Sequence, residues 1–265
     1  MKIPFTKAHG ARNDFLITPR EAVPLGADLA ALARAICDRY SGAGADGWIV
    51  VSSTLAADAA IELYNSDGSR SELSGNGTRC VGLYLFEEQG ATENLRILTG
   101  AGLKHLRLLE RRGREFRFEM TMGPARVEEL HASLESADAT IVNVGNPQCA
   151  VFVPDFDLDW RSLGARIEHH PRFPQRTNVS FVRVLDPHTI AVRFWERGAG
   201  ETMSSGTGST GAAVAAVARG LARSPVEVQS PSGALAVRWE NEEIFLAGPA
   251  EIVVRGEFFF EEDPV

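Results

Sequence analysis

The chain has 265 residues, 44% of them apolar and 23% charged, with a net charge of −8. This is the profile of a soluble globular protein long enough for one large domain or two ordinary ones, and its acidic balance excludes a general nucleic-acid binder. No stretch approaches the roughly 20 apolar residues of a membrane span or the core of a signal peptide, and the three cysteines form no C-x-x-C pair, so a cytoplasmic protein without disulfides or a bound metal is expected.

In chain order, residues 2–18 carry apolar residues on both sides of "HGARNDF", which predicts strand, loop, strand. Residues 25–38, rich in Ala and Leu, predict a helix. "YSGAGADGWIVVSS" predicts a glycine-rich turn and a buried strand over 48–51. "AAIELYNSDGS" predicts a strand ending in a turn, and residues 77–89 a helix closed by Gly90. "LRILTGAG", "KHLRLLERR" and "EFRFEMTMG" predict strands joined by short turns.

The pattern then restarts. "ATIVNVGNPQCAVFVP" predicts strand, polar turn, strand, and residues 158–168 a helix. Two strands flank the turn "DPH", an Ala-rich helix is predicted over 208–221, and an antiparallel meander completes the chain. Two similar halves follow, 1–122 and 123–265, with the terminal strand crossing back to the first.

Each half contains a serine placed directly before Gly-x-Gly where a helix begins: "SGNGTRC" with Ser74, and "SGTGSTG" with Ser205. Glycines let backbone N–H groups approach a ligand closely, and the helix adds its positive end, so each loop suits a carboxylate or phosphate. A tight strand-to-helix turn explains one such loop equally well; two matching loops in matching halves weaken that account. A duplicated fold brings equivalent helix ends toward a pseudo-twofold axis, which suits proton removal on one face of a carbon and delivery on the other. The reaction class this implies is racemisation or epimerisation without a cofactor.

The ordered set "HGARNDF", "GAGADG", "YNSDGSRSELSGNGTRC", "VGNPQC", "FPQRTNV" and "ERGAGETMSSGTGSTGA" resembles the diaminopimelate epimerases, within the wider group that includes proline racemase. The resemblance runs nearly end to end. It implies an α+β fold of two similar domains, each a mostly antiparallel sheet wrapped around a central helix and related by a pseudo-twofold axis. It further implies conversion of LL- to meso-diaminopimelate in lysine and peptidoglycan precursor synthesis, no cofactor, a small-molecule amino-acid substrate, and a homodimer.

The resemblance has departures. Members of the family carry cysteine at both loop heads, one as thiolate base and one as thiol acid, where this chain has Ser74 and Ser205. Gln148 stands where many members have histidine, and Arg12 where glycine is usual. A serine hydroxyl is a far weaker acid than a thiol and needs an adjacent base, so epimerase chemistry through these residues is expected to be very slow. Three accounts stay open: an engineered double Cys→Ser form that traps substrate, a relative turned to a lyase or isomerase reaction, and a non-catalytic amino-acid binder.

For substrate contacts, the resemblance assigns Asn13, Asn65, Asn146 and Asn178 to the distal amino and carboxylate groups, with Glu196 and Arg197 on the distal ammonium and carboxylate. The N–H groups of Gly75, Asn76, Gly206 and Thr207 are assigned to the α-carboxylate. Against this, asparagines in turns ordinarily bond their own backbone, and Glu196–Arg197 reads equally as a surface pair. Asp67, Glu72 and Glu201 read as turn or capping residues, the histidines as structural, and Cys80 as a buried apolar residue.

Overall fold

The structure, a computed structural model, describes residues 2–260. Those residues form two compact units, one of residues 2–120 and 248–260, the other of residues 121–247.

The first unit begins with β1 (Lys2–Gly10) and β2 (Asn13–Pro19), followed by α1 (Leu29–Cys37), β3 (Gly47–Ser52), β4 (Ala59–Asn65) and the short β5 (Arg70–Ser71). Then come α2 (Gly75–Gln89), β6 (Asn94–Thr99), β7 (Gly102–Arg112) and β8 (Glu115–Pro124). The second unit holds β9 (Arg126–Leu134), β10 (Ala137–Asn143), β11 (Pro147–Phe152), α3 (Trp160–Glu168), β12 (Asn178–Asp186), β13 (Thr189–Glu196) and β14 (Gly200–Thr202). It continues through α4 (Gly206–Ala218), β15 (Val226–Ser230) and β16 (Gly233–Glu240) into β17 (Glu243–Phe259), whose later residues belong to the first unit.

The two units repeat one plan. In the first, β17 pairs antiparallel with β1, β1 antiparallel with β2, β2 parallel with β3, and β3 antiparallel with β4. β4 then runs parallel to β6, and β6, β7 and β8 follow antiparallel, with β8 also paired to β17, so the strands close into a ring. The second unit repeats the same order of strand senses from β9 through β10, β11, β12, β13, β15 and β16 to the start of β17. Strand 243–259 therefore serves twice, its first residues pairing with β16 and its later ones with β1.

The helices divide into two kinds. α1 and α3 bury one face each, as amphipathic helices do. α2 is buried continuously from Gly75 to Leu85, and α4 from Gly208 to Ala216, because strands surround them. A helix enclosed in this way cannot carry bulky side chains all round, which accounts for the run "GTGSTGAAVAAVA".

The helix limits differ from the sequence expectation for local reasons. α1 begins at Leu29 because the Asp28 carboxylate accepts from the N–H groups of Ala30 and Ala31 at 3.0 and 3.1 Å. Asp159 caps α3 in the same way, accepting from Ser162 N at 3.2 Å. α2 and α4 begin two residues earlier than expected, at Gly75 and Gly206, because the Gly-x-Gly segments are themselves the first helical turns.

Candidate functional site

Ser74 and Ser205 occupy equivalent positions, each the extended N-cap of its unit's enclosed helix, with φ and ψ of −129° and 121° for Ser74 and −143° and 121° for Ser205. The Ser74 hydroxyl accepts from Gly77 N and the Ser205 hydroxyl from Gly208 N, both at 3.1 Å. This explains the second glycine of each motif. A Cβ on Gly208 would lie 2.9 Å from Cβ and Oγ of Ser205 and 2.9 Å from the Phe194 ring, and one on Gly77 would lie 3.0 Å from Ile49 and 3.3 Å from Ser74 Cβ. None of the four motif glycines has a positive φ, so close approach, rather than a left-handed turn, demands them.

In each unit the helix start is joined by strand ends. In the first unit these are the start of β2 with Asn13, the start of β3 beside Asp46, and the end of β4 with Asn65, since Phe15, Gly47 and Asn65 are in register. Asn76 Nδ2 donates to Asn13 Oδ1 at 3.2 Å, and Asn13 Nδ2 donates to Asp46 Oδ2 at 2.7 Å. Behind them Arg39 bridges Asp14 and Asp46 at 2.8 and 2.7 Å, and Lys7 reaches Asp14 at 3.0 Å. Burial alone would raise the Asp14 carboxyl, but Arg39 and Lys7 hold it below its ordinary range. Asn65 bonds within its own turn, Nδ2 to Ser69 Oγ at 2.9 Å, and Asp67 accepts from Ser69 N at 2.8 Å.

In the second unit the matching strand ends bring Asn146, Gln148 and Glu196 to α4, with Asn178 and Arg197 on the neighbouring strand ends. Asn146 Nδ2 reaches Thr207 Oγ1 at 3.4 Å, and the buried Gln148 donates to Asn146 Oδ1 at 2.8 Å. Asn178 ties two segments, accepting from Arg197 N at 3.0 Å and donating to Pro147 O at 3.0 Å. The Arg197 guanidinium donates to Gln175 O at 3.2 Å.

Glu196 is held at the second loop head. Its carboxylate accepts from Thr202 Oγ1 at 2.6 Å, and the neighbouring Ser205 hydroxyl favours its ionised form. It therefore lies near the loop head that carries Ser205, and no ion pair joins it to Arg197 among the described residues. Burial raises its carboxyl above the ordinary range, while the bonds from Thr202 and Ser205 pull the other way. A carboxyl raised in this way is a stronger base than an ordinary exposed carboxylate.

Two further residues escaped the sequence reading. Glu168, buried at the end of α3, accepts from Trp195 Nε1 at 2.8 Å and Gly198 N at 2.9 Å, so it grips the turn carrying Glu196 and Arg197 from both sides. Burial would raise its carboxyl, but these donors hold it below the ordinary range. Arg79 is the other, fully buried within α2. The only sequence signal was a charged residue in each apolar pattern. The thiols of Cys37, Cys80 and Cys149 are buried, which pushes each up to about 12, so none of them supplies a thiolate base in place of the loop-head cysteines of the family.

The fold with paired capped helices is that of the cofactor-independent epimerases and racemases. A phenazine biosynthesis protein of the PhzF family from Bacillus anthracis matches 98% of this chain with a TM-score of 0.76 at 15% identity, covering all 100% of its own chain. A hydroxyproline epimerase from Agrobacterium vitis matches 97% of this chain and 92% of its own, with a TM-score of 0.73 at 18% identity. The sequence goes further: the diaminopimelate epimerase family model matches residues 5–128 and 140–253. The diaminopimelate epimerases of Pelotomaculum thermopropionicum and Desulforudis audaxviator are 40% and 41% identical, each alignment covering 96% of this chain and 98% of the relative. The chain belongs to the diaminopimelate epimerase family and is an isomerase of the epimerase type.

Proposed function

We propose that this chain interconverts LL- and meso-diaminopimelate by moving the α-proton, in the cytoplasm, as a step of lysine and peptidoglycan precursor synthesis. Ser74 and Ser205 act as its acid–base pair. The first turns of α2 and α4, at Gly75, Asn76, Gly206 and Thr207, hold the α-carboxylate, since helix N-termini favour anions and the negative charge that develops on deprotonation. Asn13, Asn65, Asn146, Asn178 and Arg197 bind the rest of the substrate. The observation that carries the reading is the repeated loop head, a serine capping the first turn of the enclosed helix in each unit; Glu196, near Ser205, is the base that a weakly acidic hydroxyl needs.

The two loop heads are not equivalent in this respect. Both hydroxyls accept from the N–H three residues on, and Ser205 also lies near the Glu196 carboxylate. Ser205 is thus the proton acceptor and Ser74 the donor. Because a hydroxyl is far less acidic than a thiol, turnover is slow. Exchange of the substrate α-proton with deuterated solvent tests the reading. The chain itself exchanges slowly, and the Ser74→Cys/Ser205→Cys variant exchanges much faster. Absence of exchange in both defeats the proposal. A homodimer completes it, supported by the exposed apolar side chains of Val253, Val254 and Phe259 on β17; a monomeric mass by light scattering would refute that part. The three free cysteines fit a reducing compartment.

A further inference from the structure

The Arg79 side chain is 0% exposed, and no acidic side chain pairs with it among the described residues. Its Nε donates to Pro249 O at 3.4 Å, one terminal nitrogen donates to Asn76 Oδ1, and Nη1 has no partner. Burial pushes the group down to about 10, still charged at neutral pH. A buried cation without a counter-charge costs stability, and an apolar side chain of similar volume would pack this position better. Packing therefore does not account for it.

The chain of bonds that starts at Arg79 does. Guanidinium can only donate, so the atom Asn76 turns toward it is its oxygen. The Asn76 nitrogen then faces Asn13, which must present its own oxygen at 3.2 Å. Asn13 is left with its nitrogen toward Asp46 at 2.7 Å, and a carboxylate can only accept. Asp46 is held in turn, since Arg39 donates to its Oδ1 at 2.7 Å and Asp14 N to its Oδ2 at 3.1 Å. With a pure donor at one end and a pure acceptor at the other, neither amide can flip without setting like against like.

We propose that Arg79 and Asp46 are positioning residues, the two end stops of one hydrogen-bond chain that runs through the Asn76 side chain and fixes which atoms Asn13 presents to a bound amino acid. This rests on the reading of Asn13 as a substrate ligand. The reversal test is Asp46→Asn. An amide has one oxygen where the carboxylate had two, so it cannot accept from Arg39 on one side and from Asn13 and Asp14 N on the other; the acceptor end of the chain is weakened or reversed, and the hold on the Asn13 and Asn76 amides is lost. Asp46→Glu restores an acceptor at both oxygens.

The experiment combines side-chain amide NMR of the ligand-free protein with calorimetric titration by meso-diaminopimelate. In Asp46→Asn the Asn13 and Asn76 side-chain resonances shift, thermal stability holds, and binding weakens about tenfold, as the loss of one or two directed hydrogen bonds predicts. Asp46→Glu binds as the parent does. Arg79→Met keeps or gains thermal stability while losing binding about tenfold, a split that a structural role could not give. Unchanged amide resonances in Asp46→Asn, or undiminished binding in both variants, overturn the proposal. If the parent fails to bind diaminopimelate, the functional reading fails, while the ligand-free amide spectra still decide the positioning claim. Should Arg79→Met not fold, Asp46→Asn, which lies at the surface, carries the test alone.

Discussion

In the proposed reaction, a serine hydroxyl near a half-buried carboxylate is the chemical core of this molecule. Glu196 is desolvated and its carboxyl raised, with Thr202 and Ser205 favouring its ionised form. The base form is the ionised one, so in the Ser74→Cys/Ser205→Cys background α-proton exchange should rise with pH through a midpoint above the ordinary carboxylate range. Glu196→Gln should lower exchange by roughly 10²–10⁴-fold and abolish that limb of the profile, the loss falling on kcat more than on KM. A pH–rate profile of the two variants checks this, and an unchanged limb assigns the titration elsewhere. Sequence made the two serines legible because Ser-Gly-x-Gly recurs with a helix after it. It did not reveal the task of Glu196, because the residue that needs this carboxylate is nine positions on, brought close by the pairing of β13 with β14. Arg79 was hidden for a different reason: a charged residue three places before a helix's middle reads as a solvated face until strands are known to enclose that helix.

At the scale of elements, the enclosed helices are held by close contact at their first turns. Gly208 admits no Cβ without meeting Ser205 and the Phe194 ring at 2.9 Å. Gly208→Ala should therefore destabilise the protein by about 1–3 kcal/mol through overpacking, although alanine is the better helix former by about 1 kcal/mol. Urea denaturation checks the sign: a stabilised variant would mean that the cap relaxes freely. The helices were readable from composition, but their starts were not. The motif glycines were taken for a loop, whereas the serine side chains cap them into the helical turn. Asp28 and Asp159 acted in the opposite direction, delaying α1 and α3 to the residue after each cap.

For the whole molecule, the repeated order of strand senses bears out the expectation of two similar α+β halves, each with its sheet about a central helix. Residue identity between the halves is weak because each strand needs only an apolar inner face, which many sequences supply. What pattern reading could not supply was the division of β17 at residues 247 and 248. A chain ending at residue 247 should lose the cooperative transition of the first unit, since β1 and β8 both forfeit a partner strand. Loss of dispersed amide signals from residues 2–120, with those of 121–247 kept, is the expected NMR result; a fully dispersed spectrum would show the strand to be dispensable.

The same shared strand sets an order of events on the ribosome. Residues 121–247 are contiguous and can complete their sheet as soon as they emerge, whereas the half translated first must wait, with one seam open, for residues made a full domain later. The earliest part of the chain to be synthesised is thus the last to be finished.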